Sequence, residues 1–213
     1  MVNLATNTHL VPLKELPFGE IARIRNSVIN QVVALASSEL RIKEEDLVVR
    51  DIQPYTDLGW DYSAATNGTA ENWVHSATGT TIGYHSFTGA TTMADQRYTA
   101  IFGIRDTRFN LGGTQLATVQ VSYYKNYLPA SMVKFEVGGA VKAIWDITSL
   151  GAYSTDMSAF SYSPVLIPQN VAFNIYYYVK QFGDTVGTPA SDADMYLQLV
   201  GVVVEPRGKV VSP

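Results

Sequence analysis

The stretch KFEVGGAVKAIWDI, Lys134 to Ile147, decides how the rest of the chain is read. Two glycines, Gly138 and Gly139, separate two short runs in which apolar and polar side chains alternate. Alternation at period two marks a half-buried β-strand, and a glycine pair between two such runs marks a hairpin. The register follows from which residues must share a face. A two-residue loop sets Phe135 against Lys142 and Glu136 against Val141, both poor pairs. A three-residue loop sets Val137 against Val141, Phe135 against Ala143 and Val133 against Trp145, with Glu136 meeting Lys142 on the other face. The longer loop is therefore expected, giving an antiparallel ribbon with one apolar and one polar side. Such a ribbon is scaffold rather than chemistry.

The same period runs through most of the chain from Asp46 onward. Strands are expected at 46–52, 81–87, 97–104, 116–124, 132–137, 141–147, 171–180 and 195–204, with Gly, Pro, Asn and Asp in the intervals. The last of these, MYLQLVGVVV, is apolar on nearly both faces and is expected at the centre of a sheet, covered above and below. Residues 56–96 are rich in Thr, Gly and Ala and read as a long loop with one or two weak strands. No second helical run follows Ile42. The fold class expected is mainly β, an antiparallel β-sandwich or jelly roll preceded by an N-terminal arm and one amphipathic helix. The division expected is 1–45 for arm and helix and 46–213 for the sandwich.

Residues 1–18 read as an extended arm, because Pro12 and Pro17 exclude a continuous helix. In GEIARIRNSVINQVVALASSELRI, Ile21, Ile24, Val28, Val32 and Leu35 recur at three- and four-residue steps, on one helical face. That face is expected to meet its own domain or a neighbouring subunit. Glu20 in the first turn and Arg41 and Lys43 near the end follow the order a helix dipole favours. A membrane-surface helix would need more basic residues than Arg23 and Arg25.

Composition narrows the function. Hydrophobic residues make up 46% of the 213 and charged ones only 16%, below the roughly 25% usual for soluble proteins. A surface so poor in charge suits an assembly subunit or a secreted binding module, and does not suit a disordered chain. The net charge is −4, and Lys14 is the only cationic side chain before Arg23, so a basic nucleic-acid arm is missing and direct nucleic-acid binding is not expected. The absence of cysteine removes disulfides, thiolate catalysis and cysteine-ligated zinc. The opening MVNLATNTHLVPL lacks a signal-peptide pattern, and no apolar run approaches the roughly 18–20 residues of a membrane span.

A search for chemistry yields little. His75 and His85 lie ten apart, without the spacing that sets two ligands side by side, and His9 lies in the arm. No G-x-S-x-G motif, Walker pattern or calcium-loop spacing occurs. Asp57 with Asp61, and Asp184, Asp192 and Asp194, read as turn and loop residues. No catalytic residue, cofactor or metal is expected, and the chain reads as non-enzymatic. Aromatic residues remain as candidates: Trp60, Tyr62, Trp73 and Tyr84 cluster in the 56–96 region, where planar rings stack on sugars or anchor an interface.

The last fifty residues carry a resemblance. SPVLIPQNVAFNIYYYVKQFGD (163–184), followed by MYLQLVGVVVEPRG (195–208), presents a segment flanked by Pro164 and Pro168, an aromatic strand with Tyr176 to Tyr178, and a final apolar strand ending at Glu205-Pro206-Arg207-Gly208. Over residues 130–208 this resembles the closing strands of single-jelly-roll capsid proteins of tailless icosahedral double-stranded DNA viruses. The resemblance implies a virion structural protein, major, minor or decoration, that self-associates, a trimer being one form, alongside other capsid proteins. Such shells often enclose an internal membrane, which would separate protein from genome; contact with that membrane stays open. The N-terminal helix has no counterpart in the family pattern. The alternative is a carbohydrate- or receptor-binding β-sandwich that uses the four aromatics.

Overall fold

The computed structural model describes residues 10–53, 55–60, 70–72, 92–106, 131–147, 158–179 and 193–209. The arm begins with a short strand, β1 (Val11–Pro12), and a 3-10 turn at Leu13–Glu15, and leads into helix α1 (Glu20–Leu40). Ten strands are described in all. After β1 come β2 (Leu47–Ile52), β3 (Tyr55–Trp60), β4 (Ala70–Asn72), β5 (Tyr98–Asp106), β6 (Ser131–Val137), β7 (Ala140–Asp146), β8 (Ser158–Ile167), β9 (Phe173–Val179) and β10 (Ala193–Pro206). They form two antiparallel sheets. One runs β1-β8-β5-β10-β2, with β3 also paired to β10, and the other runs β4-β9-β6-β7. The chain is mainly β and sandwich-like, as its alternation predicts.

β10 is the spine of the first sheet. β5 lies on one side, and β2 and β3 share the other, β2 opposite Gly201–Pro206 and β3 opposite Ala193–Gln198. Both halves keep one register, so β2 and β3 act as a single interrupted strand along β10. The alternating faces of the spine are both buried. Val202 and Val204 join Tyr98, Ala100, Phe102 and Phe160 in a core beneath α1. Leu199 and Val203, with Ile101, Ile104, Val165 and Ile167, are buried on the opposite side. The second sheet buries Val133, Phe135, Val137, Ala143, Trp145, Phe173 and Ile175 on one face only, the pattern of a sheet with one solvated side.

Helix α1 begins after Gly19 (φ +82°) and ends at Arg41, a left-handed residue (φ +56°) whose N–H donates to the Ser37 carbonyl. Arg41 is thus the cap of the helix, not part of its last turn. Ile24, Val28, Val32 and Ala36 are buried against the first sheet. Burying the three larger side chains is worth about 5–9 kcal/mol before the entropy of ordering is charged.

The hairpin Lys134–Ile147 departs from its expected loop. Phe135 pairs Ala143 and Val133 pairs Trp145, as the faces require, but Val137 pairs Ala140 and Glu136 pairs Val141. The turn is the two-residue Gly138-Gly139, both at positive φ (61° and 73°), as a type I′ hairpin demands. An extra residue, Lys142, bulges out of β7 between Val141 and Ala143 and returns the apolar pairs to one face. Sequence pattern alone could not separate a long loop from a tight turn plus bulge, because both restore the same pairs. Glu136 meets Lys134 on its own strand instead of Lys142, at 2.7 Å.

One strand was hidden in the sequence. Over Ser158–Ile167, Ile167, Leu166 and Val165 pair Thr99, Ala100 and Ile101, and Phe160 to Ser158 pair Gly103 to Arg105. Residues 161–164, Ser-Tyr-Ser-Pro, stand opposite the single Phe102, so the strand carries a wide bulge that reads in sequence as a turn. The Ser161 hydroxyl closes that bulge, donating to the Ser163 carbonyl (3.0 Å) and accepting from the Ser163 N–H (3.1 Å). The strands expected at 81–87 and 116–124 lie outside the described residues.

Candidate functional site

Helix α1 accounts for five of the residues singled out by periodicity. Ile24, Val28 and Val32 are buried under the helix, and Ile21 and Leu35 lie half-buried against the same core. Of the two partners expected for this apolar face, its own domain or a neighbouring subunit, it meets the chain's own sheet. The helix is also pinned by polar contacts: Arg25 makes a two-pronged ion pair with Asp51 of β2 (2.8 and 2.9 Å). At its other end Tyr98 donates to the Glu39 carboxylate (2.8 Å). Burial, then Glu39, push the Tyr98 phenol well above its ordinary range.

The most developed charged cluster joins three strands at one end of the first sheet. Glu205 of β10 is only 4% exposed, a costly position for an unpaired carboxylate. Arg50 of β2 reaches both its oxygens through Nη2 at 2.9 Å, and Arg97, just before β5, donates Nε at 2.7 Å. The Glu-Pro-Arg-Gly segment of the family resemblance thus begins with a clamp that ties β2, β10 and β5 together. Arg207 adds a bond to the Glu45 carbonyl at 3.1 Å. With both carboxylate oxygens engaged by guanidinium groups, the cluster suits holding strands rather than moving protons.

On the outward face of the second sheet, the Lys134 ammonium stands 4.6 Å from the Tyr176 ring centroid, a cation–π distance. Two of the sheet edges, β7 and β1, are poorly suited to bare strand pairing. β7 presents the bulge at the exposed Lys142, and β1 is two residues long with Pro12 lacking an N–H.

At the N-terminal end of α1 the molecule exposes two aromatics. Phe18 is fully exposed, and Tyr162, carried outward by the β8 bulge, is 52% exposed. Partial desolvation and the nearby Glu20 carboxylate raise the Tyr162 phenol from its ordinary value. Neither residue was singled out by sequence pattern; a bulge and a tight turn leave no periodic trace.

Of the four aromatic candidates, Trp60 ends β3, paired in register with Ala193. Tyr62, Trp73 and Tyr84 lie outside the described residues, as do His9, His75 and His85. Among the described residues no group of three His, Asp or Glu could hold a metal ion, and no helix is long and apolar enough to cross a membrane. No protein-family model matches the chain, and no curated protein matches it.

Proposed function

We propose that this chain is a non-enzymatic structural subunit of a virion, a jelly-roll capsid protein that assembles with copies of itself. The observation that carries the reading is strand order. Counting β2 and β3 as one interrupted strand and leaving β1 aside, the described strands number eight. The first of them lies beside the last, and the sheets read first-eighth-third-sixth and second-seventh-fourth-fifth. Two interlocked Greek keys give this order, and jelly rolls of that kind serve in viral capsid and lectin domains. Since fold alone does not fix function, the choice between them rests on surface character. A charged fraction of 16% with no basic arm suits a subunit whose surface is covered by its own kind, away from the genome.

Light-scattering mass after size exclusion, with electron micrographs of concentrated protein, tests this. Closed multiples of the chain mass, or ordered arrays, are expected. A strict monomer with no lattice at high concentration would overturn it.

The second reading is a carbohydrate-binding module. It draws on the outward face of the second sheet, where Tyr176 and Lys134 offer a ring and a cation, and on the aromatics Trp60, Tyr62, Trp73 and Tyr84. Glycan-array binding that is lost in Tyr176→Ala or Trp73→Ala, with the fold intact, would favour it over assembly.

A further inference from the structure

We infer that the N-terminal arm is exchanged between copies: residues 10–19 of one molecule leave β8 of their own chain and take the same seat on β8 of a neighbour. The inference rests on the self-association reading and names its joining segment. The seat is built. Val11 pairs Phe160 and Pro12 pairs Ala159 on the outer edge of β8, Leu10 and Pro12 are buried there, and Leu13 and Leu16 lie half-buried against the core beneath α1. Whatever accepts this arm from its own chain accepts the identical arm from another copy, with the same hydrogen bonds and the same buried atoms. The contact energy of the two states is then nearly equal, and the connection decides between them.

That connection is Leu16-Pro17-Phe18-Gly19, and it has the features of a hinge. Gly19 holds φ at +82°, and a Cβ built there meets nothing within 4 Å; the bend is held only by its own backbone, the Glu20 N–H donating to the Pro17 carbonyl (3.0 Å) and the Arg23 N–H to the Gly19 carbonyl (3.3 Å). Gly19 supplies no side-chain cap to α1, and Phe18 is fully exposed. The closed form therefore leaves a large aromatic ring in water at the bend, beside a helix end where Tyr162 also projects. Docking of a second copy at this end gives both rings a surface to cover. The ladder that holds the arm to β8 is two residues long, and one of them is a proline.

The chain has no cysteine, so an introduced pair reports cleanly. Pro12→Cys with Ala159→Cys places thiols on directly opposed residues, which lie about 4.5–5.5 Å apart at Cα in antiparallel strands, within disulfide reach. In oligomers oxidised after assembly, exchange gives disulfides between chains on a non-reducing gel. Monomer oxidised beforehand, with its arm locked to its own β8, fails to assemble until reductant is added. Oligomers holding only intra-chain disulfides, or locked monomer that assembles as readily as reduced, overturn exchange while leaving self-association standing. Natural protein that never associates overturns both. If the double variant does not fold, inserting Gly-Ser-Gly-Ser between Phe18 and Gly19 tests the same point without touching the core. A longer hinge favours the closed monomer and lowers the oligomer fraction several-fold; an unchanged fraction overturns exchange.

Discussion

Gly201 and Gly103 show how single atoms constrain this molecule. A Cβ on Gly201 would stand 2.6 Å from the Ala100 carbonyl oxygen and 2.9 Å from Ile101 Cδ1, and one on Gly103 would stand 2.7 Å from the Phe160 ring. Both glycines sit where β5 changes register against its neighbours. Gly201→Ala is expected to cost about 1–3 kcal/mol in urea unfolding, through backbone displacement in the central strand pair. The Glu205 clamp makes a second expectation. Glu205→Gln keeps the shape and removes the charge between Arg50 and Arg97. Because both arginines reach solvent, the loss stays below that of a fully buried pair, at about 1–3 kcal/mol. Tyr98 gives a pH signature. Unfolded, its phenol ionises near pH 10; folded, it resists ionisation to a higher pH. Its contribution is complete below about pH 10 and falls as pH rises beyond it. Tyr98→Phe should therefore flatten the alkaline decline in stability relative to the natural chain, read as unfolding midpoints between neutral and alkaline buffers.

Elements carry the next set of constraints. In the hairpin, Gly138 and Gly139 at positive φ make the turn, and Lys142 makes the bulge. Gly138→Asn should be nearly neutral, since Asn accepts that conformation, while Gly139→Ala should cost about 1–2 kcal/mol. Equal losses from the two would contradict a type I′ turn. Trp145 packs edge-on against Phe135, ring centroids 4.5 Å apart, which ties the two strands beyond their ladder. For the helix, Val28→Ala removes fully buried methyl groups and should cost about 2 kcal/mol, whereas Ala34→Asp on the exposed side should stay within about 0.5 kcal/mol. Thermal melts of the two variants would show whether α1 is held by one face.

For the whole molecule, the packing of α1 on the first sheet places one apolar helix face out of reach, so the proposed self-association would use solvent-side surfaces and the arm. Two strand edges, β7 and β1, are blunted by the Lys142 bulge and Pro12. Association is therefore expected to proceed without fibre formation, checked by the absence of thioflavin fluorescence in concentrated protein that has assembled. Fibres that grow in step with assembly would point instead to open edge pairing.

The chain's own pattern determined the strands at 46–52, 97–104, 132–137, 141–147, 171–180 and 195–204 and the helix at 20–40, because period two and period 3.6 are written in which residues are apolar. It also determined the pairs Phe135–Ala143 and Val133–Trp145, since opposed residues share a face. The turn beneath them was not legible, and neither was β8, whose Ser-Tyr-Ser-Pro bulge imitates a loop. Among the site candidates, the helix face was legible as apolar, but which of its two expected partners it meets was not, and the Glu205 clamp was invisible, its partners lying 155 and 108 residues away. Strand order, bulge positions and the partner of a buried charge belong to tertiary structure, because they depend on which distant backbones share hydrogen bonds. Local hydrophobic pattern says only which side of each strand must leave water.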